Sequence, residues 1–260
     1  MTMRSVAGRL LAVVLAMAGS ACTTVLAPER TPAIGPFFNE ALKERYLELA
    51  SSKWDQGSWE ILHFRDKARS AMLGDVVYPD PVTWVPRGLE PELTGQRQRL
   101  LLFVDAGAWK VAPEEAAEAQ VAFDCWLSDV KATAQLESEC RETFMAALDR
   151  TEQTLLAELP ETYVVLFESG SDTVDGAGLN VATAVARAVP LVEPARIEVT
   201  GYADLSGSAS ANQALSQQRA ENVAAALARA GVSAELLNVQ TGGAPGAGFE
   251  GRRVEVDLRG

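Results

Sequence analysis

The chain has 260 residues, room for two ordinary domains, and 48% of them are hydrophobic, enough for a sizeable packed core. With 35 acidic against 23 basic residues the net charge is −12, which argues against nucleic acid, whose recognition needs a basic face, and offers no basic patch to anionic lipid. A single histidine, His63, makes histidine-based metal centres and catalytic triads poor expectations; by itself it reads as a surface or packed helix residue.

Residues 1–21 read as a targeting segment. Arg4 and Arg9 precede the apolar run LLAVVLAMA (10–18), and GSAC (19–22) supplies the small residues that signal peptidases require. The apolar run is short of the ~20 residues a bilayer span needs. A cysteine after small residues resembles the lipobox of bacterial lipoproteins, although Gly19 stands where that pattern usually has leucine. The resemblance implies lipidation of Cys22, with acyl chains holding the protein on a membrane at ~0.8 kcal/mol per buried CH₂. Cleavage to a soluble protein and an uncleaved anchor are the alternatives. Residues 22–36, rich in proline and poor in periodicity, read as a tether. An exported chain meets an oxidising compartment, so the remaining pair, Cys125 and Cys140, is expected to form a disulfide; two buried thiols are the other reading.

Residues 37–159 carry a helical pattern. Phe38, Leu42 and Leu49 share one stripe; Trp59, Leu62, Ala68 and Met72 make the next. The proline-rich loop YPDPVTWVPRGLEPE follows. TGQRQRLLLFVDAG continues as helix, and PEEAAEAQVAFDCWLSDV opens with Pro113 and two glutamates, good first-turn chemistry. A long helix from LESECRE ends before Pro160. Cys125 and Cys140 then flank the turn of an antiparallel helix pair that a bridge would staple. No repeat of fixed period is visible, so the expectation is an irregular helical domain with the five tryptophans, all in this half, serving as core anchors.

At Tyr163 the texture changes. YVVLF reads as a buried strand, DGAGLNVATAVARAVPL as a helix ending near Pro190, and ARIEVTGYAD as a strand. SANQALSQQRAENVAAALARAG is a helix closed by Gly231, AELLNVQTGG a short strand, and RRVEVDLR a last one. The order is β-α-β-α-β-β, with helices on one face of a mixed sheet, so the whole chain is α+β with its boundary near residue 160.

Within residues 160–260 one helix raises a chemical question. Ser210 and Gln213 fit a capping box that would start it. Asn212 and Arg219 then lie seven residues apart on nearly the same face, and Arg219 shares its stripe with Leu215, Val223 and Leu227. A buried guanidinium needs a partner, and Asp204 at the preceding strand end is the nearest carboxylate. Either the two form a structural ion pair, or they are a split clamp. In a clamp, Asp204 would accept from an ammonium and Arg219 would grip a carboxylate, with Asn212 beside them.

FESGS, GYADLSGS, NQALSQQRA, AGV and GRRVEV together resemble the OmpA-like peptidoglycan-binding domain, over about 100 residues from Tyr163 to Leu258. The resemblance implies an OmpA-like sandwich over residues 160–260. It also implies that Asp204 and Arg219 bind the head of the diaminopimelate in the peptidoglycan stem peptide, with Asn212 contacting the peptide and Arg252 or Arg253 nearby. Two positions depart from the family. Tyr202-Ala203 replaces a frequent His-Thr, losing a hydroxyl, and Gly251 replaces the asparagine that often precedes the arginine pair.

The implied function is an envelope lipoprotein that binds peptidoglycan without catalysis and ties a membrane to the wall. Thr23, not aspartate, follows Cys22, which favours the periplasmic face of the outer membrane. A second reading makes residues 37–159 a docking module for another envelope protein, localised by the wall-binding half. No nucleophile, metal cluster or acid/base pair suggests an enzyme, and no cofactor or nucleic-acid partner is expected. Gly242, Gly243, Gly246 and Gly248 lack the lysine and helix start of a phosphate cradle. Glu168, Asp172 and Asp175 read as a solvated loop rather than a hydrolytic carboxylate pair.

Overall fold

The computed structural model describes residues 35–53, 57–204, 208–242 and 251–258. The targeting segment, Cys22, nearly all of the tether and Gly243, Gly246 and Gly248 lie outside the described residues.

The first half is helical: α1 (Pro36–Ser52), α2 (Ser58–Met72), α3 (Glu90–Ala106), the single turn α4 (Ala108–Val111), α5 (Pro113–Thr133) and α6 (Glu139–Glu158). Helix α5 is its axis. Ala116, Ala119, Val121, Phe123, Trp126, Leu127 and Val130 are buried on every side of it, as a helix at the centre of a bundle must be. Pro113 begins α5 and Glu114 and Glu115 fill its first turn, where a missing N–H and negative charge cost least. Ser138 caps α6 by accepting from Arg141 N–H. Cys125 and Cys140 are joined as a disulfide, Cα to Cα 5.7 Å, across the α5–α6 turn.

Helix α2 departs from the expected stripe. Phe64, Ala68 and Ala71 are buried, while Trp59, Leu62 and Met72 are exposed. Two alanines let α2 approach α1 closely, so size rather than hydrophobicity selects the buried face. The tryptophans divide likewise. Trp126 is fully buried, but Trp59 is 71% and Trp84 93% exposed, so these two are not core anchors.

The second half runs β1 (Thr162–Leu166), α7 (Gly176–Val192), β2 (Ile197–Gly201), α8 (Ala209–Arg229), β3 (Leu237–Thr241) and β4 (Arg253–Asp257). The sheet order is β1-β4-β2-β3. β4 pairs antiparallel with both β1 and β2, and β2 pairs parallel with β3. Period-2 alternation turns Val165, Ile197, Val199, Val254 and Val256 to one face, where Val185 of α7 and Val223 and Leu227 of α8 cover them. Gly231 (φ 105°) ends α8 in a Schellman motif: Val232 N–H donates to Leu227 O and Gly231 N–H to Ala228 O. Proline 190 sits inside the last turn of α7, two residues before that helix ends.

The two halves have separate hydrophobic cores, one drawn from residues 38–155 and one from 163–258. Helix α3 packs on α7 between them. At Ser216, in the third turn of α8, the sequence dictates an unusually close approach. A Cβ on Gly201 would fall 2.0 Å from the Ser216 carbonyl oxygen, so only glycine lets β2 and α8 come together there.

Candidate ligand-binding site

Helix α8 begins two residues earlier than its Ser210 capping box suggests. Ser208 is the cap, accepting from Ala211 N–H, and Ser210 lies within the first turn. The shift leaves the face of Asn212 and Arg219 unchanged, because both stay on the same helix.

Arg219 is fully buried, yet no carboxylate lies within ion-pair distance of it among the described residues. Of the two readings left open, the direct Asp204–Arg219 ion pair is therefore not formed. Three backbone carbonyls hold the guanidinium: Nε donates to Ser171 O at 2.7 Å, Nη1 to Tyr202 O at 3.0 Å and Nη2 to Glu168 O at 3.1 Å. The Phe167 ring lies 5.1 Å from it, a cation–π contact in a desolvated setting. Carbonyl dipoles in a low-dielectric interior do what a counter-ion would otherwise do. A guanidinium has five N–H donors; these bonds use three and leave one on each of Nη1 and Nη2. Burial lowers the Arg219 pKa from its ordinary value, the negative charge of Asp204 opposes that, and nearby Arg252 adds to it.

Asp204 instead meets Arg252, whose Nη1 lies 3.3 Å from Oδ2. Arg252 also donates from Nε to Phe167 O at 3.3 Å, so the segment that follows β1 contacts both cations. Asn212 reaches back from α8 and donates from Nδ2 to the Asp204 carbonyl at 2.8 Å. Asn222, three residues beyond Arg219, fixes the neighbouring loop by donating to Asp172 O at 2.8 Å. Asp204, Asn212, Arg219 and Arg252 thus form one cluster of one anion, two cations and an amide at the carboxyl end of β2.

Arg253 is not in it. β4 alternates, with Val254 and Val256 in the core, so Arg253 and Glu255 face away from the helices. There Arg253 donates from Nε to Glu255 Oε1 at 2.7 Å and stacks on Tyr202, 4.6 Å from its ring, while the Tyr202 hydroxyl donates to Glu255 Oε2 at 3.0 Å. Sequence reasoning offered either arginine; strand parity decides between them. It missed the part played by Glu168 and Ser171, because carbonyl oxygens carry no residue-type signal.

The helical half contains a second polar cluster that the sequence did not announce. Asp124 is buried on α5. It accepts from Tyr46 O–H at 2.6 Å and from the Asp80 backbone N–H at 2.7 Å, and it pairs with Lys67. Lys67 also meets Asp80 Oδ1 at 2.6 Å, and His63 Nε2 lies 2.7 Å from Asp80 Oδ2. Burial raises the pKa of Asp124, and Asp80 raises it further, against the opposing pull of Lys67. Burial would raise Asp80 too, but its His63 hydrogen bond and the Lys67 charge together bring it below its ordinary value. A polar residue inside a helix buried all round, FDCW, was the available signal. Cys125, Asp129 and Cys140 also lie together, but the disulfide takes up the thiolates a metal would need.

No helix among the described residues is long and apolar enough to cross a membrane. The OmpA family model matches residues 166–252. The probable lipoprotein YiaD of Escherichia coli (strain K12) is 34% identical over 134 residues, 48% of this chain and 60% of that protein. The outer-membrane lipoprotein YfiB of Pseudomonas aeruginosa is 36% identical over 76 residues, 29% of this chain and 45% of that protein. The chain thus spans less than two thirds of the length of either curated relative. Among solved structures, the peptidoglycan-associated lipoprotein from Burkholderia pseudomallei aligns at 24% identity over 36% of this chain and 88% of that one, with a TM-score of 0.34. Residues 166–252 in the C-terminal half of this chain are therefore an OmpA family domain.

Proposed function

We propose that the chain is an envelope lipoprotein that binds peptidoglycan noncovalently, holding the diaminopimelate of the stem peptide between Asp204 and Arg219. In this reading Cys22 carries the lipid, residues 22–36 span from the membrane to the folded part, and residues 160–260 grip the wall from the periplasmic face of the outer membrane. No catalysis is involved. The OmpA family match and the lipoprotein names of both relatives support the general assignment.

One observation carries the finer one. Arg219 is fixed by carbonyls rather than neutralised by a carboxylate, and it keeps an N–H on each terminal nitrogen. Its positive charge has no carboxylate within ion-pair distance among the described residues, which supports a role toward a ligand's acid group once the buried guanidinium is reached. Asp204, held by Arg252, would supply the opposite sign to a ligand's ammonium. Asn212 ties the Asp204 backbone to α8, so the two charges keep a set spacing. A zwitterionic amino-acid head has the matching arrangement.

The test is cosedimentation with purified sacculi. Asp204→Asn keeps the shape of the side chain and the Asn212 bond to the backbone, and is expected to abolish pelleting. Pelleting of the variant at the wild-type level would exclude the clamp.

A further inference from the structure

The helical half has a pocket that the wall-binding reading does not use. It is about 520 Å³, within the ordinary range for a small-molecule site. Its floor is the closed cluster of Asp80, Asp124 and His63, whose carboxylates are taken up by Lys67, Tyr46 and the imidazole. The floor is therefore rigid and supplies little net charge to a guest.

Two tryptophans flank the opening. Trp59 comes from α2 and lies in a stacked geometry against His63, ring centroids 5.6 Å apart, so one of its faces is supported. Trp84 comes from the loop between α2 and α3 and is 93% exposed. Its backbone is left-handed, φ 61°, a conformation that is an outlier for a bulky side chain. Exposing an indole costs hydrophobic free energy, and holding it on a left-handed backbone costs more; folding alone explains neither.

The rest of the lining is mostly apolar, with Phe64, Pro81, Leu127 and Ala132, and carries a few polar groups. These are Glu60, Thr83, Ser128 and Lys131, and none of their side chains has a hydrogen-bond partner among the described residues. One acid, one ammonium and two hydroxyls give acceptors and donors in balance, with no excess charge. Flat apolar faces beside mixed, near-neutral polar groups match one kind of guest: a ring with an apolar C–H face and a rim of hydroxyls.

We propose that this pocket binds a pyranose ring of an oligosaccharide, stacked on Trp84 and Trp59 and hydrogen-bonded by Glu60, Thr83, Ser128 and Lys131. The site is independent of the Asp204–Arg219 clamp, so wall contact would involve both halves if the sugar is that of the glycan strand.

Isothermal titration of the protein with chitotetraose and with maltotetraose tests this. Chitotetraose, a chain of N-acetylglucosamine, is expected to bind with a dissociation constant below ~1 mM. Trp84→Ala, whose side chain makes little contact with the fold, is expected to weaken binding at least tenfold, and Glu60→Gln to weaken it less. Asp204→Asn is expected to leave it unchanged, which separates this site from the clamp. Binding of maltotetraose alone would still support a pyranose site and would place its source outside the amino sugars. Absence of binding to both sugars, or equal binding by Trp84→Ala, would overturn the proposal. So would heat from tetramethylammonium with neither sugar, which would make the indoles a cage for a cation.

Discussion

Arg252 Nη1 stands 3.3 Å from Asp204 Oδ2, although 48 residues separate them in sequence. Its neighbour Arg253 points to the opposite face of β4, against Tyr202 and Glu255. Two adjacent residues of the same type are thereby given different roles by strand parity.

The first prediction follows from that parity. Arg252→Ala removes a charged partner from the Asp204 cluster, where such a hydrogen bond contributes ~1.5–3 kcal/mol. It is expected to weaken binding to purified sacculi about tenfold or more, with Arg253→Ala staying within about twofold of wild type. Equal losses in the two variants, measured by the same pelleting assay across protein concentration, would sink the assignment.

Arg219→Ala is expected to damage the fold as well as the site. Three carbonyls lose their donor in a buried setting, each at about 1–3 kcal/mol. Urea unfolding should show a loss on the order of 3–5 kcal/mol. Arg219→Lys is expected to recover part of it, because an ammonium can still reach some of the carbonyls but has no fork. If Arg219→Ala unfolds at the wild-type midpoint, the carbonyl cradle is not structural. The contrast with Asp204→Asn is useful, since that variant is expected to lose binding without losing stability.

How much of this was legible depends on the kind of signal. The β-α-β-α-β-β order could be read because alternation at Val254 and Val256, the turn at Gly231 and the apolar stripe of α8 all agree with the final packing. The start of α8 could not. Ser208 and Ser210 are both good caps by residue type; in the structure Ser208 takes the role, and Asn212 bonds back to the Asp204 carbonyl. On α2 the hydrophobic pattern misled, because Phe64, Ala68 and Ala71 are the buried set and Trp59 is left outside. Arg219 was placed correctly on the buried face, but its partners were not, since a sequence pattern ranks carboxylates and is blind to carbonyls.

The third prediction concerns acid. Asp80 titrates below its ordinary value through His63 and Lys67, against the upward push of burial. As pH falls, the unfolded chain takes up this proton first, near pH ~3.9. The stability contributed by the Asp80 pairs is therefore complete above that pH and drains away as pH falls through the lower, folded value. Asp124 works in the opposite sense. Its pKa is raised by burial, so it favours the folded state most when protonated and loses that contribution as pH rises. Urea midpoints measured from pH 6 down to pH 2.5 are expected to fall, and Asp80→Asn should flatten the portion below pH ~4. Parallel curves for the two proteins would show that Asp80 is not the group responsible.

The carbonyls around Arg219 come from two places in the chain: Glu168 and Ser171 follow β1, Tyr202 follows β2, and the arginine itself rides on α8. A pull exerted on anything held by that guanidinium is consequently divided among a helix and two strands that β4 joins edge to edge. Such a junction is expected to resist extraction as a block rather than to peel open one loop at a time.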